Sequence, residues 1–225
     1  MLSSLFNTFS NIIVFDVETT GTDPKRDEII EIAMLRAISE QGVLKIDNEF
    51  SSLVKLTTNK ASPAIITNLT GITDQHLLEG GITKENACAN IAGMLDCHNP
   101  LLVAYNAQFD LSFLYHLLNR HDKAAVLKNA KMLDVLTIYR DRQPYPHKLT
   151  DAAKMYSLDM SGTHRALGDA QTTLGVLCKM WNESDDMVHY VNLFGYNPKY
   201  GVSGSRISSV RYRPQGYDRA KKLYD

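Results

Sequence analysis

The chain has 225 residues, of which 44% are hydrophobic and 22% charged, and a formal net charge of −1. This composition excludes a disordered or fibrous chain and supports one sizeable core rather than two full domains. A sequence pI near 6.7 gives no global basic field, so a polyanion has to be held by a local patch or through bound cations. The opening stretch MLSSLFNTFSNIIVF has no charged n-region and no small-residue cleavage site, and no run approaches the roughly 18 apolar residues of a membrane span. A reducing cytoplasm without a membrane partner is the expected setting. The cysteines, Cys88, Cys97 and Cys178, lie in apolar helical patterns without the paired spacing of a zinc site or disulfide framework, and read as buried thiols.

Residues 11–17 are a compact Ile- and Val-rich run stopped by Thr-Thr-Gly, which predicts a strand ending in a turn. Strand-like segments follow around residues 28–38 and 44–56, so the first three elements predict a β-meander. From Pro63 the period changes: residues 63–69 predict a short helix opened by Ser62 and Pro63, and 84–96 a longer amphipathic one. Residues 101–105 are a short buried strand running into a helix of Phe109, Phe113, Leu114, Leu117 and Leu118, a βα unit. A second strand-to-helix step fits 131–139, followed by helices over 148–155 and about 165–181, the last with its stripe on Leu167, Ala170, Leu174, Leu177 and Trp181. Strands first and βα units later predict an α/β protein with a mixed sheet flanked by helices. Beyond Trp181 the texture turns to Tyr, Asn, Pro, Gly, Ser and Arg, so the main domain is placed at 1–181 and a C-terminal extension at 182–225.

Three stretches carry groups that can do chemistry. In FDVETTG, Asp16 and Glu18 stand two apart at the end of an apolar strand, and the strand period of two aims both carboxylates from one face. Two like charges there are costly unless a cation neutralises them, and hard divalent cations prefer carboxylate oxygens; the plainer alternative is a solvated strand end. Asp110 shares the helical stripe of Phe113, Leu114 and Leu117 and is expected on the core side, the alternative being an acid that favours the helix N-terminus. In THRALGDA, an offset of five would put His164 and Asp169 about 140° apart on one helix, so His164 belongs on the loop before it. A surface histidine and a solvated acid are the alternatives for this pair.

These residues also match a family pattern. Asp16-Val17-Glu18-Thr19-Thr20-Gly21, Tyr105-Asn106-Ala107-Gln108-Phe109-Asp110 and His164-Arg165-Ala166-Leu167-Gly168-Asp169 resemble, in order and spacing, the three motifs of the DEDDh, or DnaQ-like, exonucleases. That superfamily includes the proofreading epsilon subunit of bacterial replicases, ribonuclease T and oligoribonuclease. The resemblance spans about residues 10–181, and Leu69-Thr70-Gly71-Ile72-Thr73 is similar to a loop used near the terminal nucleotide. It implies a ribonuclease-H-like fold and a 3′-to-5′ exonuclease that releases nucleoside 5′-monophosphates with two divalent cations, Mg²⁺ or Mn²⁺.

The implied ligands are Asp16, bridging both ions, Glu18 and Asp169 on the nucleophile side, and Asp110, acting partly through water. His164 is the implied general base. Thr19 and Phe109 match positions that touch the terminal nucleotide, and Asn106 a structural polar residue beside them. Tyr105 is a departure, since many relatives have His there. The expected substrate is single-stranded or frayed DNA, with a DNA polymerase as a possible partner. The alternatives are an exoribonuclease and a non-catalytic module that serves a polymerase as scaffold. In the extension, Lys199, Arg206, Arg211, Arg213, Arg219, Lys221 and Lys222 alternate with Tyr200, Tyr212 and Tyr217, a pattern that either tracks a nucleic-acid backbone or packs on the domain.

Overall fold

β1 (Asn11–Thr19), β2 (Ile29–Glu40) and β3 (Val43–Leu53) form the expected antiparallel meander in the computed structural model, which describes residues 2–57, 61–160, 164–216 and 221–225. Gln41 and Gly42, both at positive φ, join β2 to β3 where Glu40 pairs with Val43, the two-residue hairpin geometry that matches strand twist. β4 (Pro100–Ala104) pairs in parallel with the other side of β1, and β5 (Lys131–Asp134) in parallel with β4. The sheet order is therefore β3-β2-β1-β4-β5, the mixed sheet that strands followed by βα units predict.

Both faces of the sheet are covered, and alternation along β1 divides its side chains between two cores. Ile12 and Val14 share one core with Leu101, Val103, Leu133 and the stripe Val176, Leu177 and Met180 of α8 (Ala166–Glu183). Ile13, Phe15 and Val17 share the other with Ile91 of α4 (Lys84–Leu95) and Leu111, Phe113 and Leu114 of α5 (Ala107–Arg120). α6 (Val135–Arg142) follows β5, and α7 (Leu149–Met155) packs toward α8. A short α1 (Ser3–Phe6) precedes β1, and α2 (Ala64–Thr70) agrees with the helix expected after Pro63.

α3 (Asp74–Gly80) is a helix the periodicity did not signal. Its start is set chemically. Thr73 Oγ1 accepts the His76 N–H at 3.1 Å and His76 Nδ1 accepts the Thr73 N–H at 3.3 Å, a reciprocal cap in which His replaces the usual Glu or Gln. The cysteines are free thiols; Cys88 is buried and Cys97 and Cys178 are half-buried. Among the described residues no helix is long and apolar enough to cross a membrane.

The described residues of 182–225 wrap back onto both cores. Met187, Tyr190, Leu193 and Leu223 are buried in the α8 core, and Phe194 and Val210 in the α5 core. β6 (Leu193–Tyr196) and β7 (Arg211–Pro214) pair in parallel, strands of four residues too short to show a period. The Tyr190 hydroxyl donates to Asp141 at 2.6 Å and the Leu223 N–H to the same carboxylate at 2.9 Å. The Arg206 guanidinium lies 5.1 Å from the Tyr212 ring centroid, and Arg213 donates to the Leu223 carbonyl at 2.7 Å. Tyr217 and Arg219 of the basic-aromatic pattern, and Thr163 of THRALGDA, lie outside the described residues.

Candidate active site

The carboxyl end of β1 is where the two faces of the sheet stop being alike. Asp16 and Glu18 continue the row of Ile12 and Val14 toward α8, as the strand period requires, while Val17 turns into the α5 core. The β1–β2 register shifts between Glu18 and Thr19, a bulge of the kind that re-aims side chains beside functional sites. The turn beyond is tight: the Thr19 hydroxyl donates to the Gly21 carbonyl at 2.6 Å, and a Cβ on Gly21 would collide with the Asp27 carboxylate.

α8 brings Asp169 to this point. Carboxylate oxygens of Asp16, Glu18 and Asp169 lie within 4.8 Å of one another, a spacing that suits a hard divalent cation. Ala166 and Ala170, both fully buried, let the first turns of α8 approach the sheet closely. Asp110 comes from the opposite side, on the first turn of α5, and is 3% exposed. β4 pairs with β1 only as far as Val14–Val103, so the Val17 N–H lies beyond its cover; Asp110 accepts it at 3.3 Å. The core-side placement expected from the helical stripe of Asp110 is what the fold shows.

Crowding of these acids has an electrostatic signature. Burial, then Asp110, Asp169 and Glu18, hold Asp16 well above the usual carboxylate range. Burial also raises Asp110. Glu18 is pushed to about 7, first by burial and then by Asp169 and Glu31. Burial raises Asp169 as well, opposed by the imidazole and backbone N–H of His164. Like-charged carboxylates held together in this way are relieved by a shared cation.

His164 is exposed and stands on the turn before α8 at φ +64°, a left-handed conformation that His and Asn tolerate better than most residues. Asn106 is exposed, also left-handed at φ +68°, and caps α5. Phe109 is half-buried with its ring 4.9 Å from Phe113. Tyr105 is buried and its hydroxyl donates to the His147 carbonyl at 2.8 Å, a hydrogen bond that faces α7 rather than the acids.

Two further carboxylates hold the motifs in place, and the periodicity did not single them out. Glu31 is 3% exposed and pairs across the sheet with Glu18. It accepts the Arg165 guanidinium at 2.7 and 3.0 Å and the Ala166 N–H at 3.0 Å, fixing the start of α8 against β2. Asp134, at the end of β5, accepts the Asn106 and Ala107 N–H groups at 3.0 Å and caps α6 through the Thr137 N–H and hydroxyl at 3.2 and 2.6 Å. One buried side chain thus ties together the helix starts after two adjacent strands. Its sequence signal was an Asp directly before an apolar helical run, a cap position; the signal of Glu31 was a lone acid inside the apolar run IIEIAML.

The model of the RNase_T family, described as Exonuclease, matches residues 13–177, a span that holds all the clustered acids and His164. The chain belongs to this exonuclease family. The exonuclease region is 35% identical over 166 residues to the 3′-5′ exonuclease DinG of Bacillus subtilis, covering 72% of this chain and 16% of that protein. It is 30% identical over 194 residues to the PolC-type DNA polymerase III of Latilactobacillus sakei, covering 84% and 12%. The chain therefore spans a small part of the length of these relatives. Among solved structures, the zinc-bound E. coli ExoI–ssDNA complex superposes with a TM-score of 0.72 at 18% identity, over 81% of this chain and 42% of that one. E. coli exonuclease I with a dT13 oligonucleotide gives 0.68 at 19% identity, over 78% and 41%. Exonucleases of this family depend on divalent metal, and the fold is the ribonuclease-H-like one that the motifs implied.

Proposed function

We propose that this protein is a metal-dependent 3′-to-5′ exonuclease that shortens single-stranded or frayed DNA from its 3′ end and releases nucleoside 5′-monophosphates. The observation that carries this reading is the convergence of Asp16, Glu18 and Asp169 within 4.8 Å, with Asp110 on the adjoining backbone. Four carboxylates without a thiolate fit Mg²⁺ or Mn²⁺. A pair of such ions would supply Lewis-acid stabilisation of the phosphate and an acidified water. In this reading Asp16 would serve both ions, Glu18 and Asp169 the one that acidifies the attacking water, and Asp110 the one on the leaving side. His164 accepts the proton of the attacking water on its imidazole. Thr19 and Phe109 hold the terminal nucleotide, and Asn106 shapes the turn that sets Asp110. Residues 1–181 form the catalytic unit and 182–225 its extension.

The relatives and structural neighbours, a 3′-5′ exonuclease, DNA polymerases and ExoI–ssDNA complexes, support DNA as substrate and a polymerase as partner. The RNase_T name of the family favours a second reading, an exoribonuclease. An assay of 5′-labelled single-stranded DNA, mispaired duplex and short RNA, each with Mg²⁺, Mn²⁺ or EDTA, tests both. A ladder shortening from the 3′ end fastest on DNA and absent in EDTA is expected. Undiminished shortening in EDTA overturns the metal-dependent reading, and faster loss of RNA reverses the substrate assignment.

His164→Asn isolates the base, because Asn keeps the left-handed backbone while removing the imidazole. The rate is expected to fall by about 10²–10⁴-fold with little change in melting temperature. Wild-type turnover in His164→Asn would make His164 a bystander.

A further inference from the structure

Next to the acid cluster, a cleft of about 520 Å³ opens at the carboxyl ends of β4 and β5, bounded by the Asn106 turn, α6, the start of α7 and the β7 end of the extension. Open α/β sheets bind ligands at the carboxyl ends of their strands, and β4 is the immediate neighbour of β1, whose end carries Asp16 and Glu18. Asn106, which lines the cleft, stands at the N-cap of α5 four residues before Asp110, so the cleft borders the turn that carries that acid.

Its lining is cationic and aromatic. Arg140 and Lys148 both face the cleft, and neither side chain makes an ion pair or hydrogen bond among the described residues. Among the described residues the only carboxylate in the lining is Asp151, which accepts the Lys148 N–H at 3.0 Å and so caps α7. Three other arginines are engaged with carboxylates: Arg36 with Asp47, Arg142 with Asp186 and Arg165 with Glu31. Arg140 also acts on the buried Asp134 carboxylate, and both cations keep their donors turned to the cleft for an anionic ligand. Beside them Tyr145 is 75% exposed, its ring in a T-shaped contact with His147 at 5.8 Å. An exposed aromatic face with adjoining cations is what stacks an unpaired base and grips its phosphate.

We infer that this cleft holds the nucleotides on the 5′ side of the scissile phosphate: Arg140 and Lys148 bind consecutive phosphates and Tyr145 stacks a base. This inference rests on the exonuclease reading above and extends it from the terminal nucleotide to the strand behind it. The cleft selects single strands, because a stacked base has to be free of its complement.

Fluorescence anisotropy with 5′-labelled oligothymidylates of two to six nucleotides in EDTA reads binding without cleavage. Wild-type affinity is expected to rise with length. The double variant Arg140→Gln/Lys148→Gln is expected to lose about tenfold on the hexamer but little on the dinucleotide, and to flatten the log affinity against log salt slope by about 1.4. Tyr145→Ala, at an exposed position that folding does not need, is expected to lose roughly fivefold or more on the hexamer. Unchanged hexamer affinity and salt slope in both variants, equal losses on dinucleotide and hexamer, or equal displacement by a polyglutamate peptide would each overturn the inference. Mg²⁺-dependent shortening of the hexamer by wild type is run in parallel. Shortening with unaltered variant binding rejects the cleft alone, whereas no shortening by wild type rejects the exonuclease reading.

Discussion

Asp16→Asn is expected to lose more than about 10³-fold in hydrolysis and yet to raise the melting temperature of the metal-free protein. The rate loss should exceed the roughly 10–100-fold cost of removing an outer partner of a metal site, because Asp16 faces the whole cluster. The gain in stability follows from charge: Asp110, Asp169, Glu18 and Glu31 all raise the proton affinity of Asp16, so removing its charge relieves repulsion with each. Linkage gives the same answer through pH. Glu18 sits at about 7 in the fold against an ordinary 4.5, so the folded state holds a proton that the unfolded chain releases. Stability of the metal-free protein should therefore fall as pH rises from 4.5 to 7, and the fall should be shallower in Asp16→Asn. Divalent metal should reverse the order, stabilising wild type and not the variant. Differential scanning fluorimetry with and without Mn²⁺ reads all of this; a variant less stable than wild type in EDTA would contradict the electrostatic account.

Truncation after Trp181 is expected to leave no stably folded protein, even though every motif residue remains. Met187, Tyr190, Leu193, Phe194, Val210 and Leu223 are at most 9% exposed and divide between the two cores. At about 1.5–3 kcal/mol for each large apolar side chain, their loss is on the order of 10 kcal/mol, comparable with the roughly 5–15 kcal/mol that keeps a domain folded. Burial of this kind sets an upper bound, so a point variant is the finer probe. Leu193→Ala, at a fully buried position, should cost about 2–5 kcal/mol by chemical denaturation. A truncated chain that melts cooperatively within a few degrees of the full one would show that the extension is dispensable for folding.

The parts of this fold legible in the sequence are those where one period dominates. β1 is buried on both faces from Ile12 to Phe15 and alternates from Asp16 to Glu18, which the strand period of two puts on one face, and α5 carries Asp110 on the stripe of Phe113, Leu114 and Leu117, so spacing alone placed these acids. Placement of His164 ahead of α8 followed from the 140° conflict with Asp169, and the positive φ of His164 shows the turn that resolves it. What stayed hidden depends on partners far apart in the chain. Glu31 and Arg165 are 134 residues apart, and Asp134 reaches back 28 residues to Asn106. α3 is a seven-residue helix fixed by a Thr73–His76 cap, and β6 and β7 span four residues each, below the length at which a period can be read. The extension lacks periodicity because its apolar residues enter two different cores singly.

Mn²⁺ binding measured by calorimetry alongside the rate of oligonucleotide hydrolysis, in wild type and in Asp16→Asn, is the most direct test of a metal-driven site at the end of β1. Wild type is expected to gain activity in step with Mn²⁺ occupancy, and Asp16→Asn to lose both together. Hydrolysis that persists in excess EDTA, or an Asp16→Asn protein that binds Mn²⁺ and cleaves like wild type, would contradict it.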